Sequence, residues 1–343
     1  MAAGVEVFGA FEDQPVERVR LANGRGLEAA VLSWGGVLQS LTLEVDGRPR
    51  PLVLGFDDFA DYPAESPYFG ATVGRFGNRI GHAAFTLNGV RYDLDANQGG
   101  VHHLHGGSKG WGRRIWRLEP GGDGRSVMLA LTSPAGDMGY PGTVEARCLY
   151  SLTEDALEIE MTATTDAPTP INMVNHSYWN LGGRGTIEAH RLEVEADRYL
   201  PTGEGQIPTG GILPVAGTAF DFKELRRIDA RGPADFDHCL VLREKAGVRR
   251  VAELVSGDGR VAMTLLADQP GVQLYTGFKM DITVADGTRI GPRAGLCLET
   301  EAFPDAPNQP GFPSAILRPN ETYRHRMVHR FTVAESGPRC AFP

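Results

Sequence analysis

The 343-residue chain has ordinary proportions of hydrophobic (41%) and charged (22%) residues and a formal net charge of −9, which excludes wholesale disorder. This acidic balance argues against nucleic acid as a partner, because phosphate backbones attract clustered lysines and arginines. No stretch approaches the roughly 20 apolar residues that span a bilayer, so no membrane partner is expected. The first ten residues lack a basic region and a long apolar stretch, so no secretory signal is expected.

The spacing of the cysteines indicates the redox state and the cellular location of the protein. The four cysteines are far apart and show no paired spacing, which favours a reduced, cytoplasmic protein. They are Cys148, Cys239, Cys297 and Cys340.

Glycine and proline, with 44 and 23 residues, are spread along the chain without a period and predict many short strands joined by turns. Apolar and polar residues alternate over 157–164, 191–197 and 261–265, which is typical of half-buried strands. Turn signals separate such runs: Asn88-Gly89, residues 121–124, Asp258-Gly259 and Asp286-Gly287.

Helical signals are scarce. Residues 222–228 predict one helical turn, with Asp221 as its cap. No linker and no repeat of fixed period divides the chain. The sequence therefore predicts one domain over residues 1–343, an all-β fold and a large, mainly antiparallel β-sandwich.

Three histidines crowd into one short segment, His102, His103 and His105, followed by Gly106 and Gly107. A His-x-His pair on a strand directs both rings to one face, which suits a metal ion. No recognisable spacing supplies a third ligand. The two glycines alternatively indicate a turn at which a polar ligand approaches the backbone.

Residues 175–180 combine hydrogen-bonding groups with two aromatic side chains, around His176 and Tyr178. A pocket for a sugar needs this mixture, because sugars present hydroxyl rims and apolar C–H faces. A structural histidine explains the segment equally well.

A third cluster spans residues 295–301. If it forms a strand, Cys297, Glu299 and Glu301 lie on the face opposite Leu296 and Leu298. The alternative is an amphipathic strand with solvated carboxylates. Nearer the C-terminus, a basic cluster is interpreted as a solvated strand face: Arg324, His325, Arg326 and His329.

Nine segments, in order along the chain, resemble the motifs of one family, the aldose 1-epimerases or galactose mutarotases, and the resemblance extends from about residue 5 to residue 333. Any single segment can arise by chance, but the ordered set is specific. The segments are 74–80 (GRFGNRI), 104–107 (LHGG), 175–181 (NHSYWNL), 217–222 (GTAFDF), 237–238 (DH), 270–277 (PGVQLYTG), 298–300 (LET), 303–308 (FPDAPN) and 317–323 (LRPNETY).

The resemblance implies a β-sandwich of the galactose mutarotase type that interconverts the α and β anomers of a free monosaccharide in an open cleft. It implies that Glu299 is the general base and His176 the general acid. It also implies a set of sugar-binding residues: Asn78, Arg79, His105, Tyr178, Asp237 and Gln273. His102 and His103 match no functional position of the family, and Arg75 lies in a motif without being a clear ligand.

The chemistry suits these residue types. Ring opening requires a proton to leave the C1 hydroxyl while another reaches the ring oxygen, and a carboxylate and an imidazole can transfer both. No redox change or group transfer occurs, so no cofactor and no metal is expected. The expected oligomeric state is a monomer or a weak dimer.

One residue departs from the family pattern. The family usually has glutamine where this chain has Glu301, two residues after the implied base. Two carboxylates on one face repel, so we expect the pKa of Glu299 to be raised and the acid limb of the pH–rate profile to move upward. The alternatives are that Glu301 turns to solvent or binds a nearby arginine.

Other classes of protein fit less well. A non-catalytic sugar sensor on the same fold would lose the base or the acid, and both are present. A polysaccharide lyase or hydrolase usually needs export. A hexose-phosphate epimerase needs additional basic residues around its cleft. The preferred aldose is left open among galactose, glucose, xylose and arabinose.

Overall fold

The computed structural model describes residues 4–232 and 234–335, in which β-strands predominate. One short helix, α1, spans Asp61–Glu65, and single 3-10 turns occur at Gly81–Ala83, Trp111–Arg113, Asp137–Gly139, Glu204–Gln206 and Ala306–Asn308. The strands are β1 (Val5–Phe11), β2 (Gln14–Ala22), β3 (Leu27–Leu32), β4 (Leu38–Val45), β5 (Arg48–Pro51), β6 (Ala71–Val73), β7 (Arg79–Ile80), β8 (Ala84–Leu87), β9 (Val90–Asp93), β10 (His103–Leu104), β11 (Arg117–Pro120), β12 (Ser126–Ser133), β13 (Val144–Leu152), β14 (Ala156–Thr165), β15 (Thr169–Pro170), β16 (Val174–His176), β17 (Arg191–Val194), β18 (Ala196–Tyr199), β19 (Leu213–Pro214), β20 (Arg226–Arg227), β21 (Asp237–Leu242), β22 (Arg249–Val255), β23 (Val261–Ala267), β24 (Gly271–Tyr275), β25 (Ile282–Thr283), β26 (Arg289–Ile290), β27 (Cys297–Glu301), β28 (Ile316–Leu317) and β29 (Tyr323–Val333).

Three sheets contain most of these strands. The N-terminal sheet has the order β1-β2-β3-β4-β5, and the largest has the order β11-β12-β13-β14-β29-β23-β22-β17-β20. A third sheet, β19-β18-β21-β24-β27, supplies one wall of the candidate site. Neighbouring strands pair antiparallel in each of them. The prediction of an all-β, mainly antiparallel fold is therefore confirmed.

The inward faces of these three sheets share one hydrophobic core. Val31 of the N-terminal sheet, Leu129 and Ile159 of the largest sheet and Leu274 of the third sheet all belong to it and are essentially inaccessible. Burying each such side chain stabilises the fold by about 1.5–3 kcal/mol. Sheets that face each other across a common apolar layer form the predicted β-sandwich.

The alternating runs form strands, with one interruption. Residues 157–164 lie in β14 and residues 261–265 in β23, with their apolar members buried. Residues 191–197 divide at Glu195 into β17 and β18, which belong to different sheets. All four predicted turns separate consecutive strands.

The predicted helical turn at residues 222–228 is wrong. Arg226 and Arg227 form β20, which pairs with β17. The Arg226 guanidinium lies 3.7 Å from the centroid of the Phe222 ring and donates to the carbonyl oxygens of Asp221 and Ala219. The pairing with β17 and these side-chain contacts hold the segment out of a helix, since local propensity is only a weak preference.

The C-terminal basic cluster is only partly a solvated face. Arg324 and Arg326 pair with Glu160 across the β14–β29 ladder. His325 and His329 point to the other face and are buried, so that half of the interpretation is wrong. The alternation of β29 separates the two pairs.

No helix in the described residues is long and apolar enough to cross a membrane. Cys148, Cys239 and Cys297 are buried free thiols, and Cys340 lies outside the described residues, as do residues 1–3.

Buried His190 makes the stability of the folded protein depend on pH. It is 2% exposed, neither ring nitrogen has a hydrogen-bond partner in the described structure, and burial lowers its pKa to about 4. The unfolded chain therefore takes up a proton as the pH falls below about 6.5, whereas the folded protein resists until about 4. The contribution of His190 to stability is complete above about pH 6.5 and is lost as the pH falls towards 4.

Between pH 7 and pH 4 the free energy of unfolding falls in both proteins. We expect it to fall by about 3 kcal/mol less in His190→Leu than in the wild type. Urea unfolding at both pH values measures this difference. His82→Leu, at an exposed position, is the matched control and should behave like the wild type. Equal acid sensitivity of His190→Leu and the wild type would contradict the prediction.

Candidate active site

A pocket of about 210 Å³ opens beside strands β21, β24 and β27. It is smaller than the roughly 300–1,000 Å³ typical of drug-sized ligands, which matches a single sugar ring better than a glycan chain. The structure brings all eight residues singled out from the sequence into its lining: Asn78, Arg79, His105, His176, Tyr178, Asp237, Gln273 and Glu299.

The register of strands β21, β24 and β27 brings four polar side chains to one side of the pocket. Glu299 of β27 lies opposite Gln273 of β24, and Tyr275 of β24 lies opposite Asp237 of β21. Directly opposed residues, and residues two apart on one strand, share a face of a sheet. The four side chains therefore project from one face into the pocket.

His176 ends β16, which pairs with β6, and its ring is held from several sides. Tyr68 and Tyr178 stack on it, with ring centroids at 5.8 and 5.1 Å, and the His105 ring meets it edge-on at 5.0 Å. The Tyr178 hydroxyl donates to the Pro67 carbonyl, so Tyr178 presents its ring to the site. This packing fixes the orientation of the imidazole.

The fixed ring directs its Nε2 atom to Glu299. The distance from His176 Nε2 to Glu299 Oε1 is 3.6 Å, longer than a normal hydrogen bond. Glu299 Oε2 and Gln273 Oε1 are buried and have no hydrogen-bond partner within residues 4–232 and 234–335. Buried polar atoms are normally paired, so unpaired ones around a pocket are available to a polar ligand.

Burial changes the acidity of both groups. Glu299 is 2% exposed, and burial, followed by the Asp237 carboxylate, raises its pKa well above the usual range. Burial lowers the pKa of His176 to about 4. Both shifts favour the neutral forms, because a low-dielectric site disfavours charge. A carboxyl group and an imidazole perturbed in opposite directions in one pocket indicate acid–base chemistry.

Charged and amide groups form the rim. Asp237 accepts a 2.8 Å hydrogen bond from Gln273 Nε2, and Arg79 Nη2 lies 3.8 Å from its other carboxylate oxygen. Arg79 Nε also donates to Gln98. These contacts hold an arginine and a carboxylate at the pocket, where both can form charge-assisted hydrogen bonds to hydroxyl groups.

His105 lies at the turn that the two glycines indicated. The Asn78 backbone N–H donates to His105 Nδ1 at 3.1 Å, which leaves the Nε2–H as the donor of a neutral ring, and burial lowers the pKa of His105 well below its usual value. Gly106 follows with φ of +83°, and a side chain there would collide with the Gly74 carbonyl. Only glycine lets the backbone make this turn.

Five residues of the pocket lining were not assigned to the site from the sequence: Pro67, Tyr68, Leu104, Tyr275 and Lys279. Lys279 Nζ lies 3.8 Å from Asp237 Oδ2. Tyr275 lies within the quoted segment 270–277 and Lys279 lies two residues after it, so their position gave a signal. Tyr68 lies just before β6 and belongs to no quoted motif, so only the fold brings it to the site.

Glu301 neither turns to solvent nor binds an arginine. It is fully buried, and its Oε1 accepts a 3.0 Å hydrogen bond from Asn78 Nδ2. Burial, followed by the Glu299 charge, raises its pKa well above the usual range. The expected direction for Glu299 holds, but burial and Asp237 cause it, and the repulsion acts on Glu301. The solvated-strand alternative for β27 is also wrong, since all five of its residues are buried.

The remaining residues singled out from the sequence have structural partners. His103 contacts the Asp95 carbonyl and the Tyr140 hydroxyl, each at 2.7 Å, and His102 Nδ1 accepts from the His82 N–H. Only His105 of the three histidines lines the pocket. Arg75 points away from it and donates to the carbonyl oxygens of Ser133, Pro134, Pro141 and Gly142.

The fold and the pocket together define a class of protein. It is an all-β protein whose polar, monosaccharide-sized pocket holds a buried carboxyl group beside an imidazole. Such a site moves protons on a small polyhydroxy ligand.

Comparison with known proteins identifies the family. Residues 17–330 match the sequence model of the family described as Aldose 1-epimerase. Galactose mutarotase of Bos taurus is 40% identical over 334 residues, covering 93% of this chain and 95% of that protein. Aldose 1-epimerase of Escherichia coli K12 is 36% identical over 339 residues, covering 94% and 97%. The chain belongs to the aldose 1-epimerase family.

Solved structures agree with this assignment. The crystal structure of an aldose epimerase homologue from C. elegans has a TM-score of 0.86 and 31% identity, and the match covers 92% of this chain and 98% of that one. A galactose 1-epimerase from Lactobacillus acidophilus has a TM-score of 0.85 and 26% identity, with 97% and 99% covered. The predicted galactose mutarotase type of β-sandwich is confirmed.

Proposed function

We propose that the protein is an aldose 1-epimerase that interconverts the α and β anomers of free aldoses such as galactose and glucose, with Glu299 and His176 transferring the protons. The observation that carries this proposal is the pair itself. A buried carboxyl group lies 3.6 Å from a buried imidazole, in a polar pocket of a member of this family. A non-catalytic sugar sensor has no need of this pair.

The two groups divide the reaction between them. Ionised Glu299 takes the proton of the C1 hydroxyl while protonated His176 delivers one to the ring oxygen, which breaks the bond between C1 and that oxygen. The resulting aldehyde rotates about the C1–C2 bond. Closure on its other face reverses both transfers and gives the other anomer, with no net change in protons or electrons.

The pKa shifts suit this exchange of one proton. Burial that lowers the pKa of His176 to about 4 makes its protonated ring a stronger acid. Burial that raises the pKa of Glu299 makes its carboxylate a stronger base. The pair thus carries one proton in either of two arrangements, and ring opening moves it from the imidazole to the carboxyl group.

The other pocket residues hold the sugar. Arg79 and Asp237 bind hydroxyl groups through charge-assisted hydrogen bonds, and His105 donates from its Nε2–H. Gln273 and Asn78 contribute amide groups, and Tyr178 supports the His176 ring. Holding the ring still keeps the C1 hydroxyl and the ring oxygen within reach of the reacting pair.

We also propose the domain organisation, the location and the partners of the protein. A core whose members run from Val19 to Phe331 favours a single domain with its core at about 5–333. Buried free thiols favour a reducing, cytoplasmic location. The net charge of −9 disfavours a nucleic-acid partner. A monomer or weak dimer remains the proposed oligomeric state.

Polarimetry tests the activity. Freshly dissolved α-anomers of galactose, glucose, xylose and arabinose drift to equilibrium slowly in buffer, and the protein should speed the drift in proportion to its concentration. The aldose with the largest kcat/KM identifies the preferred substrate. A drift at the buffer rate for all four sugars would overturn the proposal.

Glu301→Gln is expected to cost less than about ten-fold in kcat, far less than loss of the base. Burial and the Glu299 charge raise the pKa of Glu301 and so favour its neutral form, which glutamine resembles while still accepting from Asn78 Nδ2. The acid limb of the pH–rate profile should stay in place. An acid limb that moves would contradict this account and show that Glu301 carries a charge.

A further inference from the structure

A third chemically active side chain lies behind the reacting pair. Cys297 Sγ is 3.5 Å from His176 Nδ1, and Glu299 Oε1 is 3.6 Å from His176 Nε2. Cys297 and Glu299 project from the same face of β27, two residues apart. One ligand atom from each of Cys297, His176 and Glu299 can be chosen so that all three lie within 4.8 Å of one another.

These three atoms form a donor set for a metal ion. Zinc binds thiolate sulfur, imidazole nitrogen and carboxylate oxygen at about 2.0–2.3 Å, so that ligand atoms around a tetrahedral ion lie roughly 3.3–3.8 Å apart. Cys297 Sγ and His176 Nδ1 already meet this spacing, and the Glu299 carboxylate is free to move towards them because its Oε2 has no hydrogen-bond partner in the described structure. All three residues are nearly inaccessible, and the pocket provides both an entry path and room for a fourth ligand.

We propose that Cys297, His176 and Glu299 form an inhibitory site for a thiophilic divalent cation such as Zn²⁺. Binding places the thiolate, one nitrogen of the neutral imidazole and the carboxylate on the ion, and two protons leave to solvent, one from the thiol and one from the Glu299–His176 pair. No electron transfer is involved. The proposal that binding inhibits rests on the proposed function, because the ion then occupies the base and the acid together and competes with the sugar.

The soft thiolate and imidazole ligands determine which cations this site prefers. A thiolate and an imidazole favour Zn²⁺ or Co²⁺ over Mg²⁺ and Ca²⁺, which prefer oxygen ligands. Within residues 4–232 and 234–335 this is the one set of three histidine, cysteine or acidic side chains that meets the spacing. The nearby His82–His102 pair, with ring centroids 5.6 Å apart, offers only two imidazoles.

Binding is tested first without reference to activity, using Co²⁺ as the probe and the full chain. We expect one Co²⁺ per chain with a near-ultraviolet charge-transfer absorption band from the thiolate, and displacement of that band by Zn²⁺ but not by Mg²⁺. Cys297→Ser keeps a polar group beside His176, and Cys297→Ala tests the position if the serine disturbs folding. Circular dichroism establishes that each variant is folded.

Both Cys297 variants should lose the absorption band and bind Zn²⁺ more weakly by at least the roughly 10–100-fold that loss of an outer-sphere partner costs. Cys148→Ser, which alters a buried thiol elsewhere in the core, and His102→Ala should keep the band. The absence of a band in the wild type, or its survival in a folded Cys297 variant, would overturn the proposal.

Polarimetry then tests inhibition. Zn²⁺ should slow the wild-type enzyme, galactose should protect it and a chelator should restore it, with Cys297→Ser resisting at the same Zn²⁺ concentration. A band without any epimerase activity would leave the metal site standing and remove the proposed function. An active enzyme without a band would do the opposite.

Discussion

Glu299→Gln is expected to lower kcat by about 10²–10⁴-fold with little change in KM, which corresponds to about 3–5 kcal/mol of transition-state stabilisation. Glutamine has nearly the size of glutamate but cannot accept the C1 proton. The side chain lies in a fully formed pocket opposite Gln273, so the sugar should still bind. A loss confined to kcat identifies an interaction made only in the transition state.

The chain supplies a matched control for this substitution. Glu301 lies two residues away on the same face of β27 and is equally buried, so Glu301→Gln makes the same chemical change without removing a base. Steady-state polarimetry on both variants compares them directly. A Glu299→Gln variant with wild-type kcat, or an equal loss in both variants, would contradict the assignment of Glu299.

His176→Gln is expected to lower kcat by about 10²–10⁴-fold and also to change the pH dependence. In the wild type, the active pair carries one proton, and the acid limb reports uptake of a second by the imidazole, whose pKa burial lowers to about 4. Without the imidazole, Glu299 must be ionised to act. Since burial raises the pKa of Glu299, the acid limb should move upward.

The shift in the acid limb separates a lost acid from a disturbed fold. The profile of kcat/KM against pH for the wild type and His176→Gln measures it. His176→Ala leaves a space between Tyr68 and Tyr178, and added imidazole should restore part of its rate. An acid limb that stays near pH 4 in His176→Gln would show that another group supplies the proton.

The sequence predicted the strands better than the way they assemble. Alternation over residues 157–164 identified β14, because a half-buried strand requires a period of two. The same pattern over residues 191–197 hid the change of sheet at Glu195, since alternation does not record which partner a strand pairs with. Residues 222–228 had a plausible helical pattern that the contacts of Arg226 override.

Local sequence patterns likewise predicted only part of the site. Alternation alone placed Glu299 and Glu301 on one face and did not distinguish them, whereas the structure gives one the pocket and the other Asn78. The three clustered histidines suggested a metal from spacing, yet only His105 reaches the pocket. Tyr68 and Cys297 acquire their relation to His176 through tertiary packing, which no local pattern records.

The measurement that tests the central claim most directly is exchange NMR on galactose at anomeric equilibrium. Cross-peaks between the α and β anomeric protons should appear with wild-type protein and with Glu301→Gln, at rates proportional to protein concentration. With Glu299→Gln and His176→Gln they should fall by about 10²–10⁴-fold. Wild-type protein that produces no exchange above buffer, or exchange that survives both substitutions, would contradict the account.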